Sequence, residues 1–157
     1  MIVMKFGGTS TQDAAAMHNV ASIVKTRRQK SPIVVISAIA QATNALENAG
    51  RLASEGKADE ALDLLRKLIE RHTAIIQERI KDMARCKQLQ EVLATAMREL
   101  EQLVRGVSIL GELTPRTKDS FYSYGELLSS RIVAAVLNEE GIEAQWIDTK
   151  EFMITDE

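Results

Sequence analysis

Two hydrophobic periods alternate along the chain. Ile2 to Phe6 is a short apolar run holding one lysine, and it stops at Gly7-Gly8, as a strand followed by a breaker does. Ser10 and Asp13 then form an S-x-x-D capping pattern, and Met17, Val20, Ala21 and Val24 follow at helical spacing. Pro32 is expected to close that helix. Ile33 to Ile36 is β-branched throughout and reads as a second strand. Strand, glycine turn, helix and strand make a βαβ unit, so the two strands are expected to be parallel and buried.

From about residue 45 to about residue 111 the period is helical. Ala61, Leu65, Leu68, Ile69, Ile76, Ile80 and Met83 make one stripe. Leu89, Val92, Leu93, Ala96, Met97, Leu100, Leu103 and Val104 make a second. The two predict an antiparallel hairpin turning near Ala84 to Lys87, with solvated charged faces. Thr114-Pro115 marks the loop before a further helix, which Gly141 ends, and Ala144 to Ile147 reads as a third strand. The class is α/β, and there is no internal repeat.

Composition narrows the function. The 157 residues fit one domain, and 45% hydrophobic content supports a core. Aromatics are only 4%, so aliphatic side chains must do the packing. The net charge of -2, with signs interspersed, lacks the basic stripe of a nucleic-acid surface or an anionic-membrane binder. Cys86 is the one cysteine, which excludes an intramolecular disulfide and suits a reducing compartment. No run has the order of a signal peptide or the length of a membrane span, so a cytoplasmic protein is expected. His18 and His72 are expected at surface or half-buried positions without a catalytic role. Cys86 reads as an inert thiol near a helix turn.

Three stretches carry candidate chemistry. Lys5-Phe6-Gly7-Gly8-Thr9-Ser10 lies where a parallel strand gives way to a helix, the rim at which open α/β sheets bind ligands. A glycine pair there leaves backbone N–H groups uncovered for a phosphate, and the helix adds its positive end. Lys5 supplies a mobile point charge for phosphate oxygens. The bland reading is a tight turn with a surface lysine. Neither G-x-x-x-x-G-K-[ST] nor G-x-G-x-x-G is present. After the second strand, Ser37-Ala38-Ile39-Ala40-Gln41-Ala42-Thr43-Asn44 offers small and hydroxyl donors for a carboxylate. The bland reading there is a cap, with Thr43 or Asn44 starting a helix. In Ser123-Tyr124-Gly125-Glu126-Leu127-Leu128-Ser129-Ser130, Gly125 is costly inside a helix and suggests a kink or restart. Glu126 would then lie in the first turn of the onward helix, either pairing with a substrate ammonium or merely favouring the helix dipole.

Lys-Phe-Gly-Gly-Thr-Ser at residues 5 to 10 resembles the signature of the aspartate kinases, within the amino acid kinase superfamily. Residues 37 to 44 resemble that family's Ser-Ala-x-x-x-x-Thr-Asn/Asp loop, and Gly125 to Ser129 its Gly-Glu-x-x-Ser motif. Gln145-Trp146-Ile147-Asp148 and Ile154-Thr155-Asp156 also resemble it. Ala40-Gln41 stands where many members carry a glycine pair. The resemblance implies a three-layer αβα sandwich with a mainly parallel sheet, here incomplete and interrupted by the helical hairpin. It implies that residues 1–157 are the amino-terminal half of a catalytic domain, without the nucleotide-binding half and the regulatory domains. Lys5 would be catalytic, holding the transferring phosphoryl group. Gly7 and Gly8 would contact it through N–H groups, with Thr9 and Ser10 completing the phosphate-binding turn. Ser37 would line the site, Thr43 would contact the substrate α-carboxylate, Glu126 its α-amino group, and Ser129 would support them.

The implied reaction is ATP-dependent phosphorylation of the side-chain carboxylate of L-aspartate to 4-phospho-L-aspartate, the first step towards lysine, threonine and methionine. ATP and Mg2+ would need the missing half, no metal ligand is assigned in this chain, and the fragment alone would be inactive. The protein is expected to form a homo-oligomer. The alternatives are another small-molecule kinase of the superfamily and a non-catalytic ligand-binding or assembly module.

Overall fold

The computed structural model describes residues 1–153, so the Ile154-Thr155-Asp156 motif lies outside the described residues. Strands β1 (Ile2–Phe6) and β2 (Pro32–Ile36) pair in parallel, with Ile2 opposite Pro32 and Phe6 opposite Ile36. Helix α1 (Ala14–Lys25) makes the crossover between them. Then come α2 (Ala42–Ser54), α3 (Ala58–Arg79), α4 (Met83–Leu110) and α5 (Pro115–Glu139). Helices α2, α3 and α4 pack on one another, and α5 runs against α1, α2, α4 and β2. The molecule is thus largely helical around a small parallel sheet, consistent with an incomplete αβα sandwich.

The expected βαβ unit is present, but only one face of the sheet is covered. Met4, Phe6, Val34 and Ile36 pack on the core, whereas Val3, Lys5, Ile33 and Val35 alternate outward and are exposed. The period-2 geometry of strands forces this division once helices lie on one side alone. The core is aliphatic around one aromatic: Met17, Leu46, Leu65, Ile76, Leu100, Ile132 and Phe121 are all fully buried. Each contributes roughly 1.5–3 kcal/mol by leaving water.

Several boundaries differ from the sequence expectations. Asp13 is itself the N-cap of α1, accepting from Ala16 N at 2.8 Å, while Ser10 belongs to a preceding 3₁₀ turn. Pro32 does not close α1, which ends at Lys25. It opens β2, a position where its missing N–H costs no ladder bond. The hairpin turns at Ile80 to Asp82, earlier than Ala84 to Lys87. Asp82 caps α4 by accepting from Arg85 N at 2.8 Å, and Met83 is left exposed. Thr114, read from sequence as loop, caps α5 with Pro115 as its first residue, and Gly141 ends that helix at φ +72°, as read from sequence.

Residues 144 to 147 form no strand. Ala144 instead makes both of its backbone bonds with the Asn138 side-chain amide, which donates to its carbonyl at 2.8 Å and accepts from its N–H at 3.3 Å. Trp146 lies along α5 instead, donating to Ser130 Oγ at 2.9 Å, with the Arg131 guanidinium 3.9 Å from its ring centre.

Candidate functional site

Because β1 and β2 are parallel and in register at Phe6 and Ile36, Gly7 and Ser37 leave the sheet side by side. The two loops are stitched together: Ser37 N donates to Phe6 O at 3.1 Å, and Ala40 N donates to Gly8 O at 3.1 Å. Gly8 has no room for a side chain, since a Cβ would stand 2.9 Å from Ala38 O. Gly7 differs. Its backbone is extended at φ -82°, and nothing lies within 4 Å of where a Cβ would be. The fold therefore does not require glycine at position 7, and open space lies beside it. Ser10 N donates to Gly7 O at 2.9 Å, closing the turn, with Thr9 exposed and Ser10 half-buried. The N–H groups that begin such a turn have no acceptor inside it and are free to meet an anion. Lys5 is exposed at the end of β1, on the uncovered face of the sheet.

Helix α5 passes beneath the second loop. The expected kink at Gly125 is absent, for α5 is unbroken and Gly125 is buried within it. A Cβ there would come 2.8 Å from Ala38 Cβ, so the glycine serves close packing of helix on loop. Glu126 consequently sits mid-helix, out of reach of the amino-terminal dipole. Its Oε1 accepts from Ala38 N at 3.2 Å, and no described residue donates to Oε2. One turn on, Ser129 is fully buried and donates from Oγ to Ser37 O at 2.8 Å, which makes it a tie on the loop.

Helix α2 starts at the same loop, capped neither by Thr43 nor by Asn44. The N-cap is Gln41, held in the left-handed region at φ +67° with no side-chain cap. Thr43 is exposed in the first turn and hydrogen-bonds to none of the other candidates among the described residues. That turn holds no acidic residue, so the positive end of α2 is uncompensated and suits a carboxylate. These bonds join the Gly7-Gly8 turn, the Ser37 loop, Glu126 and Ser129, while Lys5 lies on the bare face of β1 next to the turn and Thr43 is exposed at the start of α2, neither bonded to the others. Among the described residues no group of three or more His, Cys, Asp or Glu gathers to hold a metal ion. A cavity of about 550 Å³ lies between α4 and α5, and it is lined by none of these candidate residues.

The amino acid kinase family model matches residues 1–157. The chain belongs to the amino acid kinase family. Aspartokinase 1, chloroplastic, of Arabidopsis thaliana is 38% identical over 162 residues, spanning 99% of this chain and 27% of the relative. Lysine-sensitive aspartokinase 3 of Escherichia coli (strain K12) is 31% identical over 163 residues, spanning 100% of this chain and 33% of the relative. Among solved structures, E. coli aspartokinase III in complex with aspartate and ADP (R-state) superposes with a TM-score of 0.77 at 28% identity, over 98% of this chain and 32% of that one. The same enzyme in complex with lysine and aspartate (T-state) gives 0.81 at 27% identity, over the same shares. The chain spans about a third or less of the length of these relatives.

Sequence reasoning missed one residue that shapes this amino acid kinase rim. Arg71, on α3, donates from Nη1 to Ala40 O and from Nη2 to Gln12 O, both at 2.6 Å. The helical charges are therefore not all solvated. The one sign in the sequence was the polar pair Arg71-His72 interrupting a stripe of Leu68, Ile69, Ile75 and Ile76. His72 is fully buried, contrary to expectation, with Nδ1 2.8 Å from Leu68 O and Nε2 unpartnered among the described residues. Burial, then the nearby Arg71 charge, push its pKa down and keep it neutral. His18 is exposed, as expected, against Glu140 at 3.0 Å.

Proposed function

We propose that this chain is the aspartate-binding and γ-phosphate-binding side of an aspartate kinase, the amino-terminal half of its catalytic domain. The observation that carries the reading is the meeting of two loops with the middle of α5 at one rim, tied through Ala40 N to Gly8 O and Ala38 N to Glu126 Oε1. The likeness to aspartokinases, one of them solved with aspartate and ADP, supports the choice of ligands.

In this reading the α-carboxylate of L-aspartate lies at the positive end of α2 beside Thr43 and the Ser37 loop. The α-ammonium group pairs with Glu126, whose Oε1 already marks the rim. The side-chain carboxylate, with a pKa of about 3.9 when free, is ionised at neutral pH and needs no general base. One of its oxygens attacks the γ-phosphorus of ATP, the bond to the β-γ bridging oxygen breaks, and ADP leaves with that electron pair. Little proton transfer is asked of the protein. Its work is alignment and neutralisation of crowded negative charge. Lys5 faces the transferring group, and the N–H groups of the Gly7-Gly8 turn, flanked by Thr9 and Ser10, cradle its oxygens. The open space beside Gly7 fits the close approach of a phosphate. ATP and Mg2+ would take their remaining contacts from outside this chain, which alone would turn over no aspartate. The product, 4-phospho-L-aspartate, would enter lysine, threonine and methionine biosynthesis.

Lys5→Ala in the complete enzyme tests the assignment. Turnover should fall by about 10²-fold or more, while aspartate affinity changes by only a few-fold. Turnover within about twofold of the parent would remove Lys5 from the reaction.

A further inference from the structure

We propose that Arg71 is a positioning residue: its guanidinium joins the glycine turn to the Ser37–Gln41 loop and sets the distance between them. The kinetic part of this inference rests on the aspartate kinase reading. Arg71 reaches two carbonyls that belong to different loops, Ala40 O and Gln12 O, each at 2.6 Å. Both are charge-assisted bonds, donated by a guanidinium to a carbonyl. Gln12 directly precedes Asp13, the cap of α1. Ala40 directly precedes Gln41, whose left-handed backbone starts α2 and so places Thr43. Ala40 is held on both sides of its residue, its N–H by Gly8 O and its carbonyl by Arg71.

The guanidinium suits this work because it is flat and rigid, so two donors fix two acceptors at a set separation. A lysine ammonium is a point charge on a flexible stem and cannot impose that spacing. Helix α3 does not depend on Arg71 for its seat, since Ala61, Leu65, Leu68, Ile75 and Ile76 anchor it in the core. Losing the guanidinium should therefore loosen the loops while leaving the helix in place.

The test compares Arg71→Gln and Arg71→Lys with the parent in the complete protein, by amide hydrogen exchange and by steady-state kinetics. In Arg71→Gln, exchange in residues 7 to 12 and 38 to 43 should rise together by about tenfold or more, with α3 and α4 unchanged. The kcat should fall by about 10- to 100-fold, with KM for aspartate moving less than about threefold, and Arg71→Lys should recover part of the loss. Unchanged exchange in both segments would overturn the inference. So would a turnover loss matching only a smaller folded fraction, with Arg71→Lys no better than Arg71→Gln. A parent that exchanges as expected but phosphorylates no amino acid would sink the functional reading and leave the exchange comparison to decide the clamp.

Discussion

The two neighbouring glycines of the opening turn are asked to do different things. Gly8 is required by the fold, because a Cβ would press on Ala38 O at 2.9 Å. Gly8→Ala should cost about 1–3 kcal/mol, read as a lowered thermal midpoint. Gly7→Ala meets nothing within 4 Å and keeps an ordinary backbone, so stability should stay within about 0.5 kcal/mol. If Gly7 yields to a phosphate, turnover of the complete enzyme should drop all the same. A Gly7→Ala enzyme with unchanged stability and full turnover would contradict that. From sequence the pair looked uniform, since the carbonyl that excludes a side chain at Gly8 belongs to residue 38. Gln41 is the reverse case. It holds a left-handed backbone without being glycine, which costs about 1–2 kcal/mol. His72 titrates in a predictable direction. Its folded pKa lies below the ordinary 6.5, so the unfolded chain binds the proton more readily. Its stabilisation is complete above pH 6.5 and is lost as the pH falls through the depressed folded value. His72→Leu should flatten the decline in thermal midpoint just below that pH, and a parent curve already flat there would contradict the sign.

Helices were legible because their stripes and end signals agree, as at Thr114-Pro115 and Gly141. The errors arose where a local pattern needed a distant partner. Ala144 to Ile147 has the look of a strand, but the Asn138 amide takes the place of a neighbour. Gly125 was read as a helix fault because nothing local shows that Ala38 packs against it. The hairpin turn was misplaced although Asp82 carried the cap signal, because the apolar stripe continued to Met83. What holds that turn also comes from far along the chain. Glu139 accepts from Lys81 N at 2.8 Å and from Arg85 Nη1 at 2.6 Å, while Arg79 bonds to Glu140. Glu139→Ala should cost about 1–2 kcal/mol and speed exchange at residues 80 to 86, and an unchanged rate there would show the latch idle.

The molecule as a whole has one covered and one bare sheet face. Val3, Ile33 and Val35, at 62%, 49% and 43% exposure, line the bare face together with Lys5. The chain alone should therefore self-associate with rising concentration, and Val35→Lys should reduce this in sedimentation. A monomer at every concentration would contradict it. Among the described residues no helix is long and apolar enough to cross a membrane. The account rests most heavily on an acidic amino acid binding where the two loops meet α5. The direct measurement is an aspartate titration of the isotope-labelled complete protein, following backbone amide resonances. The amides of Gly8, Ala38 and Thr43 should shift together and saturate at one concentration, and Glu126→Gln should suppress all three responses. Shifts confined to the cleft between α4 and α5, with those amides silent, would contradict it.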